Sequence, residues 1–128
     1  MRNSAGLINV NSRFSSSNMK MNWPRGGNFV ITPRGNRIYL RKDTWNHIKN
    51  FHPELKDSIM EILDTIREPE AIHQGIERNS FRSYRRSELI GSFIMVIYQV
   101  THGSGRVKTA YLVHNPYAEL RRLQRIWI

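Results

Sequence analysis

The spacing of apolar residues divides the 128-residue chain into two parts. Residues 1–27 are rich in Ser, Asn, Gly and Arg, and their isolated apolar residues follow neither the period of a helix nor that of a strand. We therefore expect residues 1–27 to be a flexible tail or linker from a longer polypeptide, or an arm that orders on contact with RNA or a partner. Regular patterns begin at Asn28, and residues 28–128 fit a single domain.

Two short runs of β-prone residues open this domain. They occupy residues 29–31 and 38–40, and a Pro-Arg-Gly-Asn turn signal lies between them at 33–36. The pattern predicts a β-hairpin.

Two helices are expected after the hairpin. The first follows a cap at Asp43 or Thr44 and ends before Pro53, because a residue that precedes proline disfavours the α conformation. Pro53 then lies in the first turn of a second helix, which ends near Glu68. Apolar residues at helical spacing give each helix one buried stripe. The stripes are Trp45, Ile48 and Phe51 in the first helix, and Leu55, Ile59, Ile62 and Ile66 in the second.

The remainder of the chain has the pattern of β-structure. Three antiparallel strands are predicted at 80–86, 89–100 and 107–115, with a hairpin turn at 102–105. A short helical segment at 118–124 is expected before the apolar C-terminal residues. This order of elements predicts an α+β fold, in which two N-terminal helices pack on one face of a four-stranded antiparallel sheet.

The composition narrows the possible functions. Twenty Lys and Arg residues against ten Asp and Glu give a formal net charge of +10, which is typical of proteins that bind nucleic acid. The absence of cysteine excludes disulfides and cysteine-ligated zinc. The longest apolar stretch, within residues 89–100, is too short and too interrupted to cross a membrane. We therefore expect a cytoplasmic site of action without a membrane partner, for a protein made alone or delivered within a larger polypeptide.

Strand alternation predicts a basic and aromatic surface on one face of the sheet. Arginine suits phosphate, and tyrosine can stack on unpaired bases, so this surface favours RNA as the partner. The face expected against the helices contains Phe93, Met95, Ile97, Ala110 and Leu112, and the opposite face contains Arg82, Tyr84, Arg86, Tyr98, Thr109 and Tyr111.

The residue types on and near this surface are sufficient for RNA cleavage without a metal ion. Such cleavage needs a base for the 2′-hydroxyl, an acid for the leaving 5′-oxygen and cations for the phosphorane. His47 and His52 are the candidate proton carriers, and each has a structural alternative near a helix end. Their spacing of five residues, with only Glu54 as a nearby carboxylate, does not suit zinc, so no metal or other cofactor is expected. No spacing that suggests a site is found at His73, His102 or His114.

Three segments together resemble a known superfamily. They are the Trp-Asn-His-Ile segment at 45–48, the His-Pro-Glu-Leu segment at 52–55, and the Val-Lys-Thr-Ala-Tyr strand at 107–111. The chain is similar in these segments, over about residues 37–115, to phage-associated nucleases of the barnase, EndoU, colicin and RelE (BECR) superfamily. The resemblance implies an α+β fold and metal-independent cleavage of RNA that leaves a 2′,3′-cyclic phosphate.

The resemblance also implies roles for four residues. His47 or His52 would be the general base or acid, and Thr109 with Tyr111 would orient the phosphate. A further set of residues is expected to bind RNA or phosphate on the basis of side-chain chemistry rather than the motif. Within this set, Lys108 falls on the opposite strand face from Thr109. This set is Arg82, Tyr84, Arg85, Arg86 and Lys108.

The resemblance implies a toxin-like ribonuclease, with a cognate antitoxin or immunity protein as a partner. RNA is the expected substrate, with tRNA as one candidate among RNAs that the sequence does not distinguish. Two alternatives use the same surface. One is an RNA-binding module without catalysis, and the other is a partner-binding component of a phage or toxin system.

Overall fold

The computed structural model describes residues 22–88, 91–121 and 123–127, so most of the predicted tail, residues 1–21, lies outside the described residues. The described chain is mostly β-structure with three short α-helices. The strands are β1 (Asn28–Ile31), β2 (Arg37–Leu40), β3 (Ala71–Gln74), β4 (Ser80–Arg86), β5 (Phe93–Thr101), β6 (Ser104–Val113) and β7 (Arg125–Trp127). The helices are α1 (Lys42–Phe51), α2 (Ile59–Arg67) and α3 (Pro116–Leu120), and a 3₁₀ turn occupies Pro53–Leu55.

The expected four-stranded antiparallel sheet is wrong. The seven strands form one mixed sheet in the order β1-β2-β6-β5-β4-β3-β7. β2 pairs in parallel with β6, which places Arg37 opposite Ser104 and Tyr39 opposite Arg106, and β3 pairs with both β4 and β7. The sequence pattern missed β3 and β7 because strands this short are held by pairing and burial rather than by their own alternation.

The N-terminal hairpin and both predicted helices are present with shifted bounds. β1 pairs antiparallel with β2, as predicted. The second helix begins at Ile59 rather than Pro53, because the 3₁₀ turn and residues 56–58 precede it. All four residues of its predicted stripe are buried, whereas Phe51 of the first stripe is 69% exposed, and its ring is tilted against the His47 ring with centroids 4.5 Å apart.

Residues 22–27, which the sequence assigned to the tail, contact the domain. The Asn28 Nδ2 donates a hydrogen bond to the Asn22 carbonyl at 2.7 Å, and the Gly27 N–H donates to the Pro24 carbonyl at 2.9 Å. Trp23 packs against the core on the helical side. These residues therefore hold the start of β1 in place.

Two hydrophobic clusters cover different parts of the sheet. The larger cluster joins α1, α2 and one face of the sheet, and the smaller one lies on the opposite face, where Leu120 of α3 is buried. The larger cluster includes Ile38, Leu40, Ile48, Ile62, Leu63, Ile66, Ile94, Val96 and Tyr98, and the smaller one is Ala71, Tyr84, Met95, Val113 and Leu120.

A β-bulge interrupts the pairing of β5 with β6. Ile97 lies opposite Thr109, but Tyr98 lies opposite Val107, so Lys108 is the extra residue. Val107 therefore faces the helices while Thr109 faces the opposite side, although strict alternation would place both on one face.

The face predicted for β5 is also wrong. Ile94, Val96 and Tyr98 belong to the cluster beneath the helices, so Met95 and Ile97 face the opposite side. The apolar run of β5 is buried on both faces, and for that reason its sequence does not reveal which face meets the helices.

None of the helices in the described part of the chain is long and apolar enough to cross a membrane.

Replacing Ile62 by Ala should lower the free energy of unfolding by about 3 kcal/mol, because this fully buried side chain leaves a cavity beside the sheet. Ile76 is a matched control, since it is 78% exposed, and Ile76→Ala should change the free energy of unfolding by about 0.5 kcal/mol or less. Urea denaturation followed by circular dichroism measures both. Similar losses for the two variants would contradict this assignment of the core.

Candidate active site

Three rows of paired residues cross the sheet on the side opposite α1 and α2, and together they form what we call the open face. The first row joins β6 to β5, the third runs from β6 through β5 to β4, and the second runs from β6 through β5 and β4 into β3. The rows are Arg106 with Gln99; Thr109 with Ile97, Arg82 and His73; and Tyr111 with Met95 and Tyr84. Because directly opposed residues share a face, the strand pairing alone brings Arg82, Thr109 and Tyr111 to one surface.

Three of the predicted residues converge on the open face. The Arg82 Nη1 donates a hydrogen bond to the Tyr111 hydroxyl oxygen at 3.1 Å. The His52 ring lies beside the Tyr111 ring, with centroids 5.9 Å apart. We call these three residues the His-Arg-Tyr cluster.

The position of His52 follows from the way α1 ends. The His52 N–H donates to the Ile48 carbonyl at 2.7 Å, and its φ of −135° leaves the helical region, as expected for a residue before proline. β2 pairs with β6 as far as Arg106, and α1 also packs against β6. The C-terminal end of α1 therefore carries His52 to the edge of the sheet at Tyr111.

One carboxylate lies next to the cluster. The Glu54 Oε2 is 3.8 Å from the His52 Nδ1, and both side chains remain partly exposed to solvent. An acidic group beside one ring nitrogen helps to orient an imidazole, which leaves the other nitrogen for proton transfer. Glu54 lies in the 3₁₀ turn immediately after His52, so the backbone fixes both groups together.

Thr109 lies on the same face as the cluster without being part of it. It is two positions from Tyr111 along β6, a rise of about 7 Å. Across the sheet it is separated from Arg82 by Ile97, which corresponds to two strand spacings or about 10 Å.

His47 lies outside the cluster. Its side chain is exposed on α1, five residues before His52, and its ring contacts Phe51. Of the two histidines that the sequence proposed, His52 is the one that the fold brings to Tyr111.

Two of the tyrosines expected on the RNA-binding surface are buried. Burial, followed by a hydrogen bond with Tyr117, raises the pKa of Tyr84 to about 12. Burial also raises the pKa of Tyr98, which lies in the core beneath the helices. Both phenols stay neutral at physiological pH and neither can stack on a base, so Tyr111 is the predicted tyrosine that remains accessible.

The other predicted cations are dispersed. The Arg85 Nη1 donates to the Glu68 carbonyl at 2.6 Å on the helical side of the sheet. Arg86 is on the same side as Arg82, and its guanidinium lies 4.6 Å from the centre of the Phe93 ring. Lys108 is exposed at the bulge. Of the predicted phosphate-binding residues, Arg82 is the one that the contacts of the described residues place in the cluster.

His73 is a residue of the open face that the sequence did not suggest. It lies opposite Arg82 on one side and Arg125 on the other. It is 5% exposed, and its Nδ1 has no hydrogen-bond partner among the described residues. The sequence did not suggest His73 because β3 was not predicted, and without β3 nothing places His73 opposite Arg82.

The open face carries positive charge without neutralising carboxylates in its rows. None of the ten Asp and Glu residues occupies a row position. Arg106 is exposed and forms no ion pair within the described residues, so its charge can attract phosphate.

Replacing His73 by Gln should reduce the loss of stability in acid. Burial, and secondarily the charge of Arg125, lower the pKa of His73 from its ordinary value of 6.5. The unfolded chain therefore binds a proton at this histidine at higher pH than the folded domain does. The contribution of neutral His73 to the free energy of unfolding is thus present above pH 6.5 and decreases as the pH falls. Denaturation by urea at about pH 7.5 and about pH 5.5 measures the effect.

The exposed His47 supplies the matched control for this substitution. His47→Gln should keep the pH dependence of the parent protein, whereas His73→Gln should flatten it. If the two variants have the same pH dependence, His73 does not contribute in this way.

No protein-family model, curated protein or solved structure matches the chain. The chemistry of the site must therefore be inferred from its own geometry.

Proposed function

We propose that the chain is an endoribonuclease that cleaves RNA without a metal ion. The observation that carries the proposal is the convergence of an imidazole, a guanidinium and a phenol at the His-Arg-Tyr cluster. These side chains can act as a proton carrier, a permanent cation and a hydroxyl donor, and they lie at the edge of a basic face. The residues come from the C-terminal cap of α1, from β4 and from β6, which are distant in sequence, so the fold and not a local motif assembles them.

The proposed reaction starts at the ribose 2′-hydroxyl. His52 takes its proton while the 2′-oxygen bonds to the adjacent phosphorus. The bond from phosphorus to the 5′-oxygen then breaks, and Tyr111 donates a proton to the departing oxygen. The products are a 2′,3′-cyclic phosphate and a 5′-hydroxyl, and exchange with solvent restores both side chains.

Arg82 stabilises negative charge at two points of this reaction. Its guanidinium contacts the Tyr111 oxygen, so it is in place to stabilise the phenolate that forms. A guanidinium also offers further N–H groups for the phosphorane oxygens. Thr109, on the same strand face as Tyr111, would orient the phosphate from the other side.

The substrate class follows from the charge and shape of the site. A net charge of +10 and an open face suit an extended polyanion, and the 2′-hydroxyl requirement selects RNA over DNA. We retain tRNA as one candidate substrate. In the toxin-like role that the sequence suggests, the enzyme would act in the cytoplasm, and an antitoxin or immunity protein would cover the open face with acidic groups.

An RNA-binding module without catalysis is the second candidate. The absence of carboxylates from the rows of the open face favours it equally, because this feature promotes binding whether or not cleavage follows. The two functions differ in what the histidine does. A binding module needs His52 only for contact, whereas the enzyme needs its proton transfer.

Replacing His52 by Ala should reduce the rate of RNA cleavage by about 100-fold or more, because a general base typically contributes this much. His47→Ala is the matched control, since His47 lies outside the cluster and is exposed. The purified variants are incubated with tRNA and with single-stranded RNA in EDTA, and product ends are tested for 2′,3′-cyclic phosphate.

Affinity measured with the same RNAs separates the two candidate functions. The nuclease predicts that His52→Ala loses cleavage and largely keeps its affinity. Tight, salt-sensitive binding by a parent protein that produces no cyclic phosphate would instead establish the binding module. Cleavage that depends on His47 and not on His52 would reject the proposed site.

A further inference from the structure

A cleft of about 530 Å³ lies at the end of the open face away from the His-Arg-Tyr cluster. Its charged and aromatic walls are formed by Arg25, Arg41, Arg106 and Tyr39, and Gln99 adds a side-chain amide. The volume is within the range of sites that hold small organic ligands, about 300–1,000 Å³. It is therefore large enough for a nucleotide and not only for a bare phosphate.

The parallel pairing of β2 with β6 builds this cleft. Tyr39 lies opposite Arg106, and Arg106 lies opposite Gln99, so side chains from three strands meet on one face. Tyr39 lies between Ile38 and Leu40, which are fully buried on the helical side, so its ring must face away from the core.

The glycine at position 27 brings Arg25 to the same place. Gly27 has a φ of +97°, and a side chain there would collide with the Leu40 carbonyl. Only glycine allows this close approach of the N-terminal segment to the end of β2. Arg25 is thereby held beside Arg41, which follows Leu40.

The cleft has more positive charge than its neighbours neutralise. Within the described residues, neither Arg25 nor Arg106 forms an ion pair, and Arg41 contacts the exposed Asp43 at 3.4 Å. Three guanidinium groups around one concave surface form a site for phosphate oxygens. The Tyr39 ring adds a surface on which a base can stack.

The cleft and the cluster lie on one line along β6. Arg106 and Tyr111 are five residues apart, one of which is the bulged Lys108, so about four strand steps or 13 Å separate them. The bulge places both side chains on the open face. A single RNA strand can span this distance with a few nucleotides.

We propose that this cleft binds a phosphate and an unpaired base of the RNA strand, a few nucleotides from the bond that is cleaved. The identity of the strand rests on the proposed ribonuclease function, whereas binding of the phosphate and base does not. The substrate is then single-stranded where it crosses the sheet, because a base can stack on Tyr39 only when it is unpaired.

The first experiment measures binding without cleavage. The probes are a hexauridylate and a diuridylate with 2′-O-methyl groups, which remove the attacking hydroxyl. The parent protein should bind the hexamer at least tenfold more tightly than the dimer. Arg106→Ala should reduce this preference by about tenfold, since a lost charge-assisted hydrogen bond has an effect of this order.

The salt dependence tests for a phosphate contact. Arg106→Ala should lower the slope of log affinity on log salt by about one. Lys56→Ala is the matched control, because Lys56 is exposed beyond the 3₁₀ turn and also removes one positive charge. The control should keep both the length preference and the slope of the parent protein.

The second experiment measures cleavage of unmodified hexauridylate and diuridylate. The ratio of kcat/KM for the hexamer to that for the dimer should fall about tenfold in Arg106→Ala, mainly through KM. Thermal unfolding of each variant confirms that it folds. Arg106→Lys, which keeps the charge but loses the planar fork, should recover part of the preference.

The outcomes separate the two proposals. If unmodified RNA is cleaved but Arg106→Ala behaves as Lys56→Ala does in both experiments, the cleft proposal is overturned and the nuclease stands. If RNA is not cleaved but Arg106→Ala alone loses the hexamer preference, the nuclease fails and the cleft stands as a strand-binding site. If uridine 5′-monophosphate binds as tightly as the hexamer, the cleft is a site for free nucleotides and the strand proposal is overturned.

Discussion

The arrangement of functional groups depends on the single extra residue in β6. Arg106 and Thr109 are three positions apart, so in a regular strand their side chains would point to opposite faces. The bulge at Lys108 restores them to the same side, while Val107 still fills the core beneath the helices. Bulges are common next to active sites because they redirect a side chain without breaking the sheet. Removing Lys108 would therefore move Arg106 of the cleft to the face opposite the His-Arg-Tyr cluster, and it would also take Val107 out of the core.

The chain buries both faces of its sheet, but not over the same area. α1 and α2 cover one face, and the cluster around Leu120 covers part of the other. The exposed part of the open face is what remains, and it lies where arginine, threonine and tyrosine replace apolar residues along β4 and β6. The alternation that buries apolar side chains in both clusters thus also leaves polar side chains exposed on the open face. Side chains on strands are held more firmly than side chains on loops.

Local patterns were sufficient for much of the fold and for part of the site. The N-terminal hairpin, the two helices and the strand at 80–86 follow from spacing and turn signals, because each is stabilised by contacts close in sequence. The grouping of Arg82, Thr109 and Tyr111 on one face also follows from alternation. The strands β3 and β7 and the parallel pairing of β2 with β6 could not be predicted, because each depends on a partner strand that is distant in sequence or was itself not predicted.

The residues that the sequence missed share this physical cause. Arg106 and Tyr39 meet through the parallel pairing, and His73 meets Arg82 through a strand of four residues. Tyr98 was placed on the wrong face because β5 is apolar in consecutive positions, so that alternation gives no direction. His52 rather than His47 lies beside Tyr111 because of where α1 ends, and the periodicity of the sequence does not determine that position.

The parallel pairing has a consequence for how the domain forms. The Asn36 Nδ2 donates to the Gly103 carbonyl at 3.3 Å across 67 residues of sequence. Contacts this distant require closure of a long loop and slow the folding of β-rich proteins. The meander of β4, β5 and β6 can pair from local contacts, but the cleft needs the N-terminal hairpin to dock on it. A complete but partly unfolded chain therefore has its full positive charge before the cleft has formed.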